Sequence, residues 1–336
     1  MNPTTITLKN GETVAVTVVQ APNPEWAARI EPMLQHKGLP WTWQNHELLH
    51  HETGLAARFY LLHRNGRPFA NILLAETGGV ALLGHVWTEP ADRGHGASSQ
   101  LMDLALADFA RRGGEAIFLG TEPESPPWHF YRRRGFEPIE EGSGDMVRYR
   151  TSRSSFTAEW FGATESRIES LGWKHWPAAA PLAVADFPGR VRLAATGLIG
   201  RRLHESPFLP VIREQQRRRA AKENDCAVAL TSPRGAVLGW ASCLADPIWP
   251  GRSIVDVFCA PGGWPKAAEM IQLVQQASAG KAIAYCDAES AEKERVLQHL
   301  GYRVVARLPS WLSPLSREQG RTDITVWENY APAGVP

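Results

Sequence analysis

The chain has 336 residues, 43% of them hydrophobic and 21% charged, which is the composition of an ordinary soluble globular protein of about two domains. Its formal net charge is +1, so no overall field attracts nucleic acid or an anionic membrane surface. No apolar run approaches the ~20 residues that cross a bilayer, and residues 1–16 lack the layout of a secretory signal, so we expect a cytoplasmic protein.

Strand and helix patterns alternate along the first half. The β-branched run 13–20 predicts a strand, and residues 23–38 predict a helix that starts at an Asn-Pro cap and stops at a glycine. Two apolar runs around Asn-Gly predict a hairpin over 58–76. Further patterns follow in order: a strand at 78–88, an amphipathic helix at 98–114, a buried strand at 116–120, a short helix at 125–135 and a strand at 146–150.

The second half repeats this order after a polar segment, 151–155, that we interpret as a linker. The predicted elements are a strand pair at 226–243, a strand at 253–261, a helix at 264–280, a strand at 282–286, a helix at 291–301 and a strand at 323–330. Ala116-Ile117 precedes Gly135-Phe136 as Ala282-Ile283 precedes Gly301-Tyr302, with an offset of 282 − 116 = 166 in both pairs. We infer an internal duplication of one α/β fold. The four cysteines all lie in this half and form no Cys-x-x-Cys, so we expect reduced, mostly buried thiols.

The most informative segment runs from Val86 to Ser99, between a strand and an amphipathic helix. Small residues let successive backbone N–H groups point inward, and the following helix adds the partial positive charge of its N-terminus. Such a turn can bind a pyrophosphate, with Arg93 adding a charge-assisted hydrogen bond. The alternative is a tight strand–helix turn that binds nothing.

Two motifs in this half resemble those of the GNAT superfamily of N-acetyltransferases. "EPADRGHGAS" followed by "LM" is similar to its Arg-x-x-Gly-x-Gly/Ala motif, and "WHFYRRRGFEP" is similar to its Tyr-x-x-x-Gly-Phe helix. The resemblance covers roughly residues 10–150. It implies that acetyl-CoA is the cosubstrate and that an amine attacks its thioester.

The resemblance also implies roles for particular residues. Tyr131 matches the tyrosine that protonates the departing CoA thiolate, although a phenol next to Phe136 also suits a core position. The strand would pair with the pantetheine arm and the turn would bind the pyrophosphate; these cofactor-binding residues are Val86, Trp87, Thr88, Arg93, Gly94, His95, Gly96, Ala97, Ser98 and Ser99.

The sequence departs from the family pattern in three ways. Ser98 stands where Gly or Ala is usual, and we expect it to cap the helix. The asparagine often found before the later helix is absent, with Ser125 near its place. A strand glutamate that many members use is also missing, which leaves the general base open between His85, Glu89 and a water relay.

The second half lacks the machinery of the first. Its loop "CAPGGWPKA" has no arginine at the cradle, and Leu297 occupies the place of Tyr131, since 297 − 166 = 131. We therefore predict an α/β (α+β) protein with two GNAT-like domains, each a mixed, mostly antiparallel sheet flanked by helices. Residues 1–150 would be catalytic and residues 151–336 a degenerate copy.

The stretch "QNHELLHH" contains His46-Glu47-x-x-His50, a spacing that places two imidazoles on one helix face for zinc. A zinc hydrolase needs a third ligand and an open position, and neither Ala56 nor the distant Glu76 suits, so we predict no metal. A solvated helix is the plainest interpretation. By analogy with the fold, a further one is contact with the acceptor through Trp41, Trp43, His46, Glu47 and His50.

The sequence thus predicts an acetyl-CoA-dependent N-acetyltransferase acting on a primary amine of a small molecule or peptide. A non-catalytic acyl-CoA-binding scaffold is the alternative, and zinc hydrolysis is a remote one. We expect no nucleic-acid or membrane partner, and a monomer or homodimer. The 13 tryptophans hint at a partly apolar acceptor.

Overall fold

A computed structural model describes residues 4–278, 280–313 and 320–329. The chain forms two compact units. The first comprises Met1–Pro138 and Ser143–Phe156, and the second comprises Ile139–Gly142 and Thr157–Pro336. In the described part of the chain, no helix has the length and apolar character that crossing a membrane needs.

The first unit is an eight-stranded sheet with helices packed against it. Its strands are β1 (Thr5–Thr7), β2 (Thr13–Gln20), β3 (Ala56–Arg64), β4 (Arg67–Thr77), β5 (Val80–Thr88), β6 (Ala116–Gly120), β7 (Glu137–Pro138) and β8 (Asp145–Tyr149). Its helices are α1 (Pro24–Leu34), α2 (Trp41–His50), α3 (Ala97–Arg111) and α4 (Pro126–Arg132), with 3₁₀ turns at Gln35–Lys37 and Pro90–Asp92. The next helix, α5 (Arg153–Phe161), contains the boundary between the two units along the chain. The strand order is β1-β2-β3-β4-β5-β6-β8-β7.

The second unit holds a seven-stranded sheet and a separate two-stranded ribbon. Its strands are β9 (Arg167–Ser170), β10 (Val191–Leu193), β11 (Leu198–Ile199), β12 (Ala227–Thr231), β13 (Val237–Ala245), β14 (Arg252–Cys259), β15 (Lys281–Asp287), β16 (Tyr302–Leu312) and β17 (Thr322–Asn329). Its helices are α6 (His175–Ala178), α7 (Ala180–Val184), α8 (Glu205–Ala220), α9 (Ala267–Gln275) and α10 (Ala291–His299), with 3₁₀ turns at Ala194–Thr196 and Pro261–Lys266.

The two large sheets share one topology. Read from the other edge, the second sheet runs β9-β12-β13-β14-β15-β17-β16, which corresponds strand for strand to β2-β3-β4-β5-β6-β8-β7. In each sheet one pair is parallel, β5 with β6 and β14 with β15, and the other pairs are antiparallel. The predicted fold class, two mixed and mostly antiparallel sheets flanked by helices, is confirmed.

Local chemistry explains the predicted elements that form. Asn65 and Gly66 both have positive φ, 48° and 79°, as the tight turn of the β3–β4 hairpin requires. The Asn23 side chain accepts a hydrogen bond from the Trp26 amide and so caps α1. Ser125 caps α4 in the same way through the Trp128 amide.

The predicted linker 151–155 lies beside the boundary between the units at Phe156 and Thr157, but α5 begins within it at Arg153. Ser152 Oγ accepts from the Ser155 amide, so serines of the predicted linker serve to start a helix. Sequence patterns also missed β9, the β10–β11 ribbon, α8 and β16. The predicted helix 264–280 forms only as α9, after a 3₁₀ turn, and the predicted strand 323–330 forms as β17. Ala279 and Tyr330 lie outside the described residues.

Candidate active site

The parallel pair at the centre of the first sheet separates part-way along. β5 and β6 are paired from Val80–Ala116 to Leu82–Phe118, and the remainder of β5 has a ladder with β4 alone. A bulge lies on that side, because Asn71 pairs with Trp87 while Leu73 pairs with Gly84. Bulges bend the strands that carry them, and the described ladder between β5 and β6 does not continue beyond Leu82, so that edge of β5 can accept an extended ligand.

The bulge is held by a buried polar contact. Asn71 Nδ2 donates to the His85 carbonyl at 2.9 Å, and the Asn71 side chain is fully buried. His85 has a φ of 50°, a left-handed conformation that costs free energy for a residue with a side chain. Strained backbone conformations of this kind cluster at functional sites, where the surrounding structure holds the residue in place.

The turn after β5 presents a row of backbone donors. In the described part of the chain, the N–H groups of Gly94, His95, Gly96, Ala97, Ser98 and Ser99 donate to no acceptor. Gly94 and Gly96 have φ values of 83° and 84°, in the left-handed region that glycine adopts readily. The row ends in the first turn of α3, where the helix dipole adds partial positive charge. Backbone N–H groups in such an arrangement can bind an anion.

A cavity of about 300 Å³ lies at these amides. It is lined by Lys9, Thr88, Asp92, Arg93, Gly94, Gly96, Ala97, Ser98, Ser99 and Phe130. Of the predicted cofactor-binding residues, Val86, Trp87 and His95 do not line this cavity and the other seven do, and their role as a cofactor site stays a prediction. Lys9, Asp92 and Phe130 were not predicted. Lys9 lies far upstream without a motif, but it reaches the turn because its amide donates to the His95 carbonyl at 3.0 Å.

Arg93 lines this cavity, and no carboxylate of the described residues neutralises its guanidinium charge. Its Nε donates to the Thr88 carbonyl at 3.0 Å, and its guanidinium lies 4.7 Å from the centre of the Trp87 ring. It forms no ion pair with any described residue. Its remaining donors therefore stay available to a phosphate oxygen.

Ser98 does not cap α3, contrary to the expectation from sequence. Gly96 occupies the N-cap position without a side-chain hydrogen bond. Ser98 Oγ instead lies 2.7 Å from Thr88 Oγ1. The hydroxyl ties the turn to the end of β5 and leaves the amides of the helix terminus free for a ligand.

Tyr131 lies in the core next to this cavity. It is 7% exposed, and its ring packs at 5.4 Å from Phe130 and 5.8 Å from Phe136, measured between centroids. The same apolar cluster includes Ala97 from the start of α3, and Val86 of β5 packs against it. Tyr131 thus shares a core with the strand and the turn, which fits both the core and the acid interpretations.

His85 is a poor candidate for the general base. Burial is the main cause that lowers the pKa of its imidazole to about 3, with Lys37 and His36 adding repulsion. Its Nε2 lies 2.7 Å from Gln44 Oε1, and Trp41 packs edge-on against the ring. A neutral, hydrogen-bonded imidazole with so low a pKa has little capacity to take a proton near pH 7.

Glu89 lies beside a second cavity, of about 480 Å³. This cavity is lined by Ala28, Arg29, Pro32, Met33, Asn65, Gly66, Arg67, Pro68 and Glu89. Thr88 lines the 300 Å³ cavity and the next residue, Glu89, lines the 480 Å³ cavity, so both cavities adjoin the end of β5. Trp41, Trp43, His46, Glu47 and His50 are not among the residues that line it.

In the second unit, the chain around β10 bonds to the region where β14 and β15 cease to pair. The β14–β15 ladder ends at Ile254–Ile283, and the acidic residues Asp256 and Asp287 lie beyond it. The chain around β10 bonds to both. The amides of Arg190 and Val191 donate to Asp287 Oδ2, and those of Ala194 and Ala195 donate to Asp256 Oδ2, at 2.7 to 3.3 Å.

Two further features separate the second sheet from the first. The β13–β14 ladder has no register shift between Gly239–Cys259 and Ala245–Ser253, so the bulge of β4–β5 has no equivalent. Leu297, at the position that corresponds to Tyr131, is fully buried. The four cysteines of this unit are buried and free, as predicted.

The His-Glu-x-x-His segment lies on α2, as predicted, and its two histidines meet α1. His46 Nδ1 and His50 Nε2 lie 3.0 and 3.2 Å from Glu31 Oε1. No third ligand follows the motif along the chain, but Glu31 precedes it on a different helix. Nothing in a local motif could have indicated it.

Comparison with known proteins points to one family. Residues 23–136 match the family model of the acetyltransferase (GNAT) family. No curated protein matches the chain at a significant level.

Several solved structures are similar to part of the chain. An acyl-CoA N-acyltransferase from Pseudomonas aeruginosa is 18% identical over 41% of this chain and 99% of its own, with a TM-score of 0.33. A GNAT-family acetyltransferase from Staphylococcus aureus Mu50 is 16% identical over 41% and 100%, with a TM-score of 0.34. The protein yncA from Salmonella typhimurium, solved with its cofactor acetyl-CoA, is 14% identical over 51% and 97%, with a TM-score of 0.38.

Proposed function

We propose that the first unit is an N-acetyltransferase that moves an acetyl group from acetyl-CoA to a primary amine of a small molecule or peptide. The observation that carries this proposal is the row of six unbonded amides from Gly94 to Ser99 at the start of α3. Those donors, with Lys9 and Arg93 beside them, suit the two negative charges of a pyrophosphate.

The open edge of β5 suits the rest of the cofactor. An extended pantetheine arm carries two amide groups, which can pair with a strand edge as a neighbouring strand would. The segment Val86–Thr88 lies between the separation from β6 and the turn, so an arm bound there would lead from the pyrophosphate toward the core around Tyr131. Backbone N–H groups of this segment would also hold the thioester carbonyl.

The reaction would proceed by direct attack in a ternary complex. The neutral amine nitrogen attacks the thioester carbonyl and forms a tetrahedral oxyanion. The carbon–sulfur bond then breaks, and the CoA thiolate leaves as the amide forms. One proton is lost from the amine nitrogen and one is gained by the sulfur, and we assign the second transfer to the Tyr131 hydroxyl.

Glu89 is our candidate for the first proton transfer, directly or through a water molecule. Its carboxylate lines the 480 Å³ cavity, and it adjoins Thr88 of the cofactor cavity. A carboxylate also attracts a protonated amine to the site. Arg29, whose guanidinium also pairs with Glu25, and Arg67 line the same cavity, and they favour an acceptor that carries an anionic or polar group as well.

The second unit, which we assign as a degenerate GNAT-like domain, would not bind acetyl-CoA. Its matching strand order supports a common fold with the first unit. The chain around β10 occupies the separation between β14 and β15 that an arm would need, and the cradle arginine and the tyrosine are absent. Its contribution to the acceptor site stays a prediction.

The direct test is turnover. We would incubate the full-length protein with acetyl-CoA and a library of primary amines, and follow both thiol release and the mass of the acetylated product. Amine-dependent release is the expected result. Binding of acetyl-CoA without release with any amine would favour the non-catalytic scaffold, and no binding of acetyl-CoA would exclude the proposal.

A change of Glu89 to Gln tests the base. We expect kcat/KM for the amine to fall on the order of 100-fold near pH 7, with the affinity for acetyl-CoA unchanged. The deficit should shrink as pH rises, because bulk hydroxide then deprotonates the amine before it binds. Glu137→Gln, on the exposed strand β7, is the matched control. An equal deficit at all pH values would instead indicate a role in binding.

A further inference from the structure

Helices α1 and α2 contact each other through three side chains that commonly bind metal ions. Glu31 extends from α1, and His46 and His50 extend from α2. One ligand atom from each of the three lies within 4.8 Å of the other two. The two imidazole rings lie 4.4 Å apart, between centroids, because residues four apart share one face of a helix.

Two of the three ligand–ligand distances are close to those of a tetrahedral metal site. With bonds of about 2.0 Å, two ligand atoms of a tetrahedral Zn²⁺ are separated by roughly 3.3 Å. The two observed nitrogen–oxygen separations to Glu31 Oε1 are 3.0 and 3.2 Å. A small outward shift of the side chains would therefore admit the ion between them without a change of either helix.

The site is open to solvent on one side. The side chains of His46, His50 and Glu31 are 53%, 29% and 33% exposed. An ion can therefore enter without local unfolding, and a water molecule can fill the fourth position. Two imidazoles and one carboxylate favour a borderline divalent ion such as Zn²⁺ over Mg²⁺ or Ca²⁺, which prefer oxygen ligands alone.

We propose that Glu31, His46 and His50 bind a divalent transition-metal ion that locks α1 to α2. The role is structural and does not involve the zinc hydrolysis that the His-Glu-x-x-His spacing suggests. One face of α1 lines the cavity at Glu89 through Arg29 and Met33, and α2 supplies the Gln44 that bonds to His85 of β5. Bound metal would fix the two helices that flank the end of β5.

The sequence predicts no metal because no third ligand follows the motif, and the known spacing continues toward later residues. Glu31 precedes His46 by fifteen residues, on the helix before it. The inference does not depend on the acetyltransferase proposal, since it concerns metal binding alone.

Zinc binding to the full-length, EDTA-treated protein tests the inference. Competition with a chromophoric chelator should give one Zn²⁺ per chain, and Zn²⁺ should raise the Tm of the first unfolding transition. His50→Gln and Glu31→Gln should each weaken Zn²⁺ binding on the order of 100-fold. His51→Gln is the matched control, because His51 neighbours the cluster but does not belong to it.

Co²⁺ supplies a readout of geometry. Its visible absorption is much stronger in a tetrahedral site than in an octahedral one, and we expect the strong spectrum in the wild type and in His51→Gln but not in His50→Gln. The proposal is overturned if the wild type binds no Zn²⁺ more tightly than His50→Gln does. In that case the cluster is a hydrogen-bonded clamp between the helices and nothing more.

Discussion

At the scale of single residues, Tyr131 can be a core aromatic, an acid, or both. Its ring fills the space between Phe130 and Phe136, and phenylalanine would fill that space equally well. Tyr131→Phe therefore removes the hydroxyl and keeps the packing. We expect kcat to fall on the order of 100-fold with little loss of stability, measured by thiol release and by urea unfolding.

Tyr149→Phe is the matched control for that experiment. Tyr149 lies on β8 and packs against Phe118 and Phe156, away from the turn after β5. It should keep its activity. Full activity in Tyr131→Phe would show that the residue serves only to pack the core, and the thiolate would then need another proton donor.

Because His85 is buried, we expect the free energy of unfolding to fall in acid. The folded protein holds its pKa at about 3, while an unfolded histidine has a pKa of about 6.5. Below pH 6.5 the unfolded chain binds a proton that the folded chain does not, so the free energy of unfolding falls as the pH drops. At pH 5 this amounts to roughly 2 kcal/mol.

His85→Gln isolates that contribution. Urea unfolding at pH 7 and pH 5 should show a loss of stability in the wild type that exceeds the loss in His85→Gln by roughly 2 kcal/mol. Other titrating groups affect both proteins alike, so the difference reports His85. Equal losses would mean that the imidazole is hydrated or charged in the folded state.

At the scale of elements, the second unit holds its β10 segment with a buried ion pair. Lys293 of α10 is 2% exposed, Asp256 of β14 is fully buried, and Lys293 Nζ lies 3.0 Å from Asp256 Oδ1. Asp256 raises the pKa of the lysine against the opposing effect of burial. Lys293→Met leaves the carboxylate buried without its countercharge and should cost about 3–5 kcal/mol of stability.

Lys266→Met is the surface control in the same unit. Its ammonium pairs with Glu269 at 3.1 Å, and both side chains are at least half exposed. Its loss should cost less than about 1 kcal/mol by urea unfolding. A cost for Lys293→Met as small as for Lys266→Met would mean that the two backbone amides suffice to neutralise Asp256.

Most of the strands and helices can be predicted from the sequence. Apolar periodicity, the Asn-Gly turn and the Asn23 and Ser125 caps predict strands and helices because they act over a few residues. The ribbon β10–β11 was missed because a partner far along the chain selects it. Its amides are satisfied by Asp256 and Asp287, more than sixty residues away.

At the scale of the whole molecule, the proposals predict one cofactor site per chain although the fold occurs twice. Isothermal titration with CoA should give one site. Arg93→Gln should weaken binding by roughly 10- to 100-fold, because it removes a charge-assisted hydrogen bond to phosphate. Arg67→Gln, at the other cavity, should leave CoA affinity unchanged. Two sites, or a single site whose affinity for CoA is unchanged in Arg93→Gln, would contradict this prediction.

The sequence by itself determined the fold class, most of the strands and helices, and the amide-bearing turn between Val86 and Ser99. These are properties of neighbouring residues, and local periodicity and glycine spacing express them directly. The tertiary structure decided which polar groups meet. It pairs Ser98 with Thr88 where the sequence predicts a cap, buries His85 so that its pKa falls, and brings Glu31 to His46 and His50. Each depends on packing between segments that the sequence leaves far apart, and burial and proximity then set their chemistry.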